Sequence, residues 1–169
     1  MYKLLFILFL TTILWSESLI GTPAPLFRMK IVNKTVTQYA DLSTYFSKEH
    51  SQAVVLSFFA EWCAPCMKEL PFIQNLVDSL DEKGIELIVV SIDKKISRAT
   101  LDYLDSLGIN APLIHDSFGI IRNRYKYKGQ LPYTIYISRD GIISNISTGF
   151  SKREQLAIKK SISTIVEGL

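Results

Sequence analysis

"SFFAEWCAPCMKELP" (Ser57–Pro71) holds both cysteines of this 169-residue chain, two residues apart. It continues from "AVVL", and Ala53–Phe59 is apolar at every position but Ser57. Such a run marks a strand buried on both faces. Beyond the cysteines, Leu70, Ile73, Leu76, Val77 and Leu80 recur at helical spacing. They predict a helix from Ala64 onward with one apolar stripe. Pro71 falls inside it and is expected to kink it. The cysteine pair therefore sits where a buried strand runs into a helix.

Outward from this junction, strands and helices alternate. "LFRMKIV" (Leu26–Val32) reads as a short alternating strand and "DLSTYFSKE" as a turn or short helix. "IELIVVSI" (Ile85–Ile92) is a second buried strand. Ser97 is placed to cap a helix carrying Leu101, Leu104 and Leu107 and closed by Gly108. "APLIHD" predicts a short strand and "SFGIIRNRY" a helix. "YTIYIS" (Tyr133–Ser138), the turn "RDG" and "IISNIST" predict a hairpin. Ser151 and Glu154 form a capping box for a last helix. The order implies an α/β sandwich with a mixed sheet.

The N-terminus has another character. Leu4–Trp15 is a nearly unbroken apolar run of twelve residues, too short to span a bilayer, which takes about 20. It suits a signal-peptide core, and Ser16-Glu17-Ser18 offers a small-x-small cleavage site. An uncleaved N-terminal anchor is the competing reading, and both export the rest. Residues 1–18 are accordingly set apart from a domain spanning 21–169. The net charge is only +3. Lys126 and Lys128 alternate with tyrosines, but two charges make no nucleic-acid stripe. A solvated edge is the expected reading there, and no nucleic-acid partner is expected.

Export sharpens the meaning of the cysteines, because exposed thiols oxidise outside the cytoplasm. A structural disulfide between Cys63 and Cys66 would close a very small loop and stabilise little. A zinc site needs further ligands, and the only histidines, His50 and His115, lack zinc-like spacing. Redox chemistry remains. Free N–H groups at the helix start would stabilise a Cys63 thiolate and lower its pKa below about 8.5. Cys63 is then an exposed nucleophile and Cys66, one turn on and covered, the resolving thiol. Pro65 suits a first helical turn.

"FFAEWCAPC" resembles the thioredoxin active-site segment. The wider pattern is similar to the TlpA/ResA-like family of exported, often membrane-anchored thiol-disulfide oxidoreductases. "GTPAPLFRM" resembles that family's opening segment, "CMKELP" its C-x-x-E-x-P continuation, and "GQLPYTIYIS" the strand that begins with a cis proline. The resemblance covers residues 21 to 168 and implies a thioredoxin-like fold, a mixed central sheet flanked by helices. An extra strand and helix would lie within Ser91–Asp116. It makes Pro132 the cis proline facing the disulfide, with Leu131 offering backbone groups to an extended substrate segment. It makes Glu69 a partly buried carboxylate that exchanges protons with the thiols, which needs a pKa raised toward neutrality. A surface charge early in a helix is the other reading of Glu69. Trp62 is expected to flank the cysteines as an exposed apolar contact, core packing being its alternative. Thioredoxin has a buried aspartate where this chain has Ser57, leaving Glu69 as the nearest proton acceptor.

The expected function is therefore an exported, periplasmic reductase of protein disulfides, a monomer needing no cofactor and no metal. The resemblance extends it to cytochrome c maturation and implies a membrane electron donor. An oxidase or isomerase of the same fold is the alternative, since direction follows reduction potential. A copper chaperone is a rival of another class, weakened by the missing third ligand.

Overall fold

The computed structural model describes residues 18–33 and 37–167. The expected leader or anchor and nearly all of its cleavage site lie outside the described residues. No helix among those described is long and apolar enough to cross a membrane.

Five strands form the main sheet: β3 (Ala53–Phe59), β4 (Ile85–Ser91), β5 (Leu113–His115), β6 (Tyr133–Ile137) and β7 (Ile143–Thr148), in the order β5-β4-β3-β6-β7. β4 runs parallel to both β3 and β5, while β6 is antiparallel to β3 and to β7. The sheet is thus mixed, as the element order implied, with the apolar run at its centre. All seven residues of β3 are buried. A two-stranded hairpin, β1 (Arg28–Lys30) with β2 (Tyr39–Asp41), lies before it.

The strand period of two sorts β3 between two cores. Ala53, Val55 and Phe59 face α2 (Cys66–Asp78) and α5 (Lys152–Glu167) together with Leu70, Ile73, Val77, Ile158 and Ile162. Val54, Leu56 and Phe58 face the other way, against Phe27, Leu42, Ile121 and Tyr125. That second layer includes α1 (Leu42–Tyr45) and α4 (Ile120–Arg124). A fully buried aliphatic or aromatic side chain contributes roughly 1.5–3 kcal/mol, so these two layers dominate the stability.

α3 (Arg98–Ser106) and β5 occupy the expected insertion between Ser91 and Asp116, and β5 becomes the sheet edge. Ser97 caps α3, its hydroxyl accepting from the Thr100 N–H at 3.0 Å. At α5, the Ser151 hydroxyl donates to the Glu154 carboxylate and accepts from the Arg153 N–H. The capping box is therefore closed side chain to side chain. α2 departs from its expected start. It begins at Cys66, with Pro65 as its N-cap, and continues through Pro71. Residues 63–65 form a preceding tight turn, closed by Cys66 N–H to the Cys63 carbonyl at 3.0 Å.

Candidate redox site

Cys63 and Cys66 form a disulfide at the end of β3, beneath the first turn of α2. The Cys66 N–H points at the Cys63 sulfur, 3.3 Å away. This helix-start donor, shared with the Cys63 carbonyl, thus also reaches the atom that must carry negative charge as a thiolate. Cys66 is 0% exposed, as expected of a resolving thiol, but Cys63 is only 4% exposed. This corrects the expectation of an openly exposed nucleophile: bonded to Cys66, Cys63 is tucked against the helix turn and the core. The exposed group is its neighbour Trp62, at 71%, so the core-packing reading of Trp62 falls away.

The polypeptide before the cysteines is held from two sides. The Asp93 carboxylate, just past β4, accepts from the Glu61 N–H at 3.0 Å and from the Ser91 hydroxyl at 2.9 Å. The Glu61 carboxylate accepts from the Thr100 hydroxyl, in the first turn of α3, at 2.7 Å. The inserted helix thereby braces the loop that carries Trp62 and Cys63. Tyr103 of α3, Met67 and Trp62 line a shallow open cavity beside the disulfide.

Glu69 is 1% exposed, which removes the surface-charge reading. It lies one turn beyond Cys66 on α2. The hydroxyls of Ser57 and Thr134 donate to its Oε2 at 3.4 and 3.1 Å and lie 3.2 Å apart. Burial disfavours the carboxylate and outweighs these two donors, so the pKa is pushed up to about 7. Ser57 is therefore no mere gap where an aspartate could stand. Its hydroxyl is one of the two donors to the buried Glu69 carboxylate.

Thr134 is a site residue the sequence reading missed. Its place follows from the register Ser57↔Thr134 between β3 and β6. The signal was its position two residues after Pro132, on the same side of a strand, but the pairing partner was not legible. Asp93 was missed for the same reason, being 32 residues from Glu61.

Leu131–Pro132 is a cis peptide bond at the start of β6. Pro132 is buried, and its carbonyl accepts from the Gly149 N–H at 2.9 Å. Leu131 packs against the core that contains both cysteines. His115 bonds the Asp93 carbonyl at 2.8 Å and His50 bonds Ser47 at 3.1 Å. Among the described residues no three His, Cys, Asp or Glu side chains gather as a metal site.

Comparison with known proteins fits this geometry. The model of the AhpC/TSA family matches residues 20–146, most of the chain. The chain belongs to the AhpC/TSA family. Within that family it is similar to thiol-disulfide oxidoreductases named ResA. It is 33% identical over 131 residues to the thiol-disulfide oxidoreductase ResA of Oceanobacillus iheyensis, a match covering 77% of this chain. The match spans 65% of that relative's length, just under two thirds. It is 28% identical to ResA of Bacillus subtilis over 76% of this chain and 67% of that protein. A candidate thiol:disulfide interchange protein DsbE from Chlorobium tepidum shares the fold. It has a TM-score of 0.75 and 23% identity, and the match covers 87% of this chain and 97% of that one.

For this AhpC/TSA-family member the two cysteines should differ in reactivity. In the reduced protein, limited iodoacetamide labelling near pH 7 should modify Cys63 well before Cys66. Cys63 has the aimed N–H donor, whereas Cys66 is fully enclosed. Mass mapping that finds Cys66 modified first would reverse the two roles.

Proposed function

We propose that this chain is an exported thiol-disulfide oxidoreductase that reduces disulfides in protein substrates. The observation that carries the reading is the pairing of the Cys63–Cys66 disulfide with a buried carboxylate on the same helix, one turn away, poised near neutral pH. In the reduced enzyme the Cys63 thiolate attacks one sulfur of a substrate disulfide. A Cys63–substrate bond forms, the substrate S–S bond breaks, and a substrate thiolate leaves and takes a proton. The Cys66 thiol then gives its proton to Glu69 and attacks the Cys63 sulfur. The mixed disulfide breaks, the second substrate thiolate leaves, and the enzyme disulfide closes. Two electrons pass to the substrate, and a dithiol donor must return them.

Trp62 supplies an apolar contact beside the pair, and Leu131 with Pro132 supplies the opposite wall for an extended segment. The apolar run Leu4–Trp15 serves as leader or anchor and places the domain in the periplasm or on the outer face of the cytoplasmic membrane. Electrons then come from a membrane donor, since the chain has no cysteine outside this pair. Haem-attachment cysteines in cytochrome c maturation are the substrate class that the ResA-like kinship favours. The domain acts as a monomer and calls for no cofactor.

The equilibrium potential of the Cys63–Cys66 couple tests the direction. Equilibration with glutathione or dithiothreitol mixtures should place it near thioredoxin's value of about −270 mV. A value near about −120 mV, that of DsbA, would make the protein an oxidant instead.

A further inference from the structure

The face of the sheet opposite α2 carries a surface that the redox chemistry does not use. Between Asp116 and Asp140 the chain has no acidic residue, yet it carries Arg122, Arg124, Lys126, Lys128 and Arg139. Three of these, Arg124, Lys126 and Lys128, are exposed. Ile120 and Arg124 sit one turn apart on α4 and so share a face. Ile120 is 48% exposed, and Phe118 just before the helix is 86% exposed. The Arg124 guanidinium donates to the Leu26 carbonyl at 2.7 Å, which brings Leu26, itself 53% exposed, to the same place. Tyr127 turns inward to stack on Phe58, while Lys126 and Lys128 on either side are exposed.

A second observation concerns where the described chain begins. Ser18 and Leu19 line a cavity of about 350 Å³ together with Lys126, Lys128, Tyr133 and Ile146. The apolar run Leu4–Trp15 ends three residues before Ser18. The segment most compatible with hydrocarbon therefore joins the domain beside the basic side chains.

We propose that this face, formed by Leu26, Phe118, Ile120, Arg124, Lys126 and Lys128, docks on an anionic phospholipid surface. Exposed apolar and aromatic side chains insert at the headgroup boundary, and lysines and arginines gain from the negative surface potential. The run that precedes Ser18 holds the domain at the bilayer, so weak docking contacts act at high local concentration. The proposal rests on the reading of the N-terminal run as an exporting anchor. It also gives the redox site an orientation. α4 is tied to the end of the sheet that carries the cysteines: Arg122 donates to the Ile92 carbonyl at 3.2 Å and the Asp116 N–H to the Ser91 carbonyl at 2.9 Å. A domain docked through α4 holds that end close to the lipid surface, within reach of a membrane electron donor.

The test uses the full chain reconstituted into phosphatidylcholine vesicles with or without phosphatidylglycerol. A trace phospholipid with a photoactivatable headgroup reports contact, and labelled peptides are mapped by mass spectrometry. Label should concentrate on residues 18–28 and 118–130, and more strongly with phosphatidylglycerol. Each basic residue at an anionic surface is worth about a fivefold change. The triple variant Arg124→Glu, Lys126→Glu, Lys128→Glu should therefore lose labelling by at least about tenfold. Phe118→Ser with Ile120→Ser is a second variant that leaves the charges in place, and it should lose labelling in both lipids. Exchange with a small soluble disulfide should be unchanged in both variants. Three results would overturn the proposal: label spread evenly over α5 and α4, equal label with and without phosphatidylglycerol, or no loss in either variant. Absence of lipid label on these peptides would also overturn it and leave the face to an acidic protein. A reagent carried on the acyl chain reports separately on residues 1–17, so failure of the anchor reading is distinguishable from failure of docking.

Discussion

Cys66→Ser should accumulate mixed disulfides with substrate proteins, while Cys63→Ser should accumulate none and exchange no disulfides at a measurable rate. Only a thiolate attacks a disulfide at useful speed, and a serine hydroxyl does not ionise near neutral pH. The Cys66 N–H, 3.3 Å from the Cys63 sulfur, gives position 63 the stabilised anion. Cys66, 0% exposed, reaches no substrate; its only available disulfide is the one its neighbour has just made. Removing it leaves the first step intact and blocks the second. Non-reducing electrophoresis after exposure to oxidised extract, followed by mass spectrometry of the trapped bands, reads both outcomes. Complexes formed through position 66 in the Cys63→Ser protein would invert the assignment. Both variants should fold, because a loop this short contributes little chain-entropy stabilisation.

Glu69→Gln should slow disulfide exchange near pH 7 by about 10²–10⁴-fold, the usual contribution of a positioned acid–base group. It should also remove one inflection from the pH–rate profile. Gln keeps the shape and can still accept from Ser57 and Thr134, but it cannot take a proton from Cys66. A loss under about threefold, with an unchanged profile, would send the proton route elsewhere. The same residue makes a stability prediction of definite sign. Its folded pKa is raised from 4.5 to about 7. Between those values the native oxidised protein keeps a proton that the unfolded chain has released. The stability from Glu69 is therefore fully present below about pH 4.5, declines as pH rises through this window, and is flat above about pH 7. A shift of this size corresponds to about 3 kcal/mol. Denaturant unfolding at several pH values should show Glu69→Gln gaining on wild type by about that amount between pH 4.5 and 8. Parallel pH dependences for the two proteins would mean that Glu69 titrates normally.

Much of this architecture is legible locally. The apolar run Ala53–Phe59 matches β3 residue for residue, because a centrally buried strand must be apolar on both faces. Ser97, the RDG turn and Ser151 mark element boundaries through hydrogen bonds to near neighbours, which a reader of sequence can anticipate. The start of α2 is less legible. Pro65 can occupy a first helical turn, and the periodicity does not separate a helix that begins at Ala64 from a tight turn that hands over at Cys66.

The sequence by itself determined the chemistry: two cysteines only, two apart, where a strand runs into a helix, with a glutamate one turn on. The tertiary structure alone decided the state of that glutamate. An acid in the first turn of a helix is stabilising at the surface, and local pattern cannot say that this one is enclosed. Its burial follows from the packing of α2 on β3, and its donors come from the pairing of Ser57 with Thr134, 77 residues apart. The same holds for Asp93, which grips the Glu61 backbone from the end of the neighbouring strand β4. Burial and cross-strand pairing are long-range outcomes of which faces meet. They set the electrostatic environment of the site, while the residue types that act in it are already written in Ser57–Pro71.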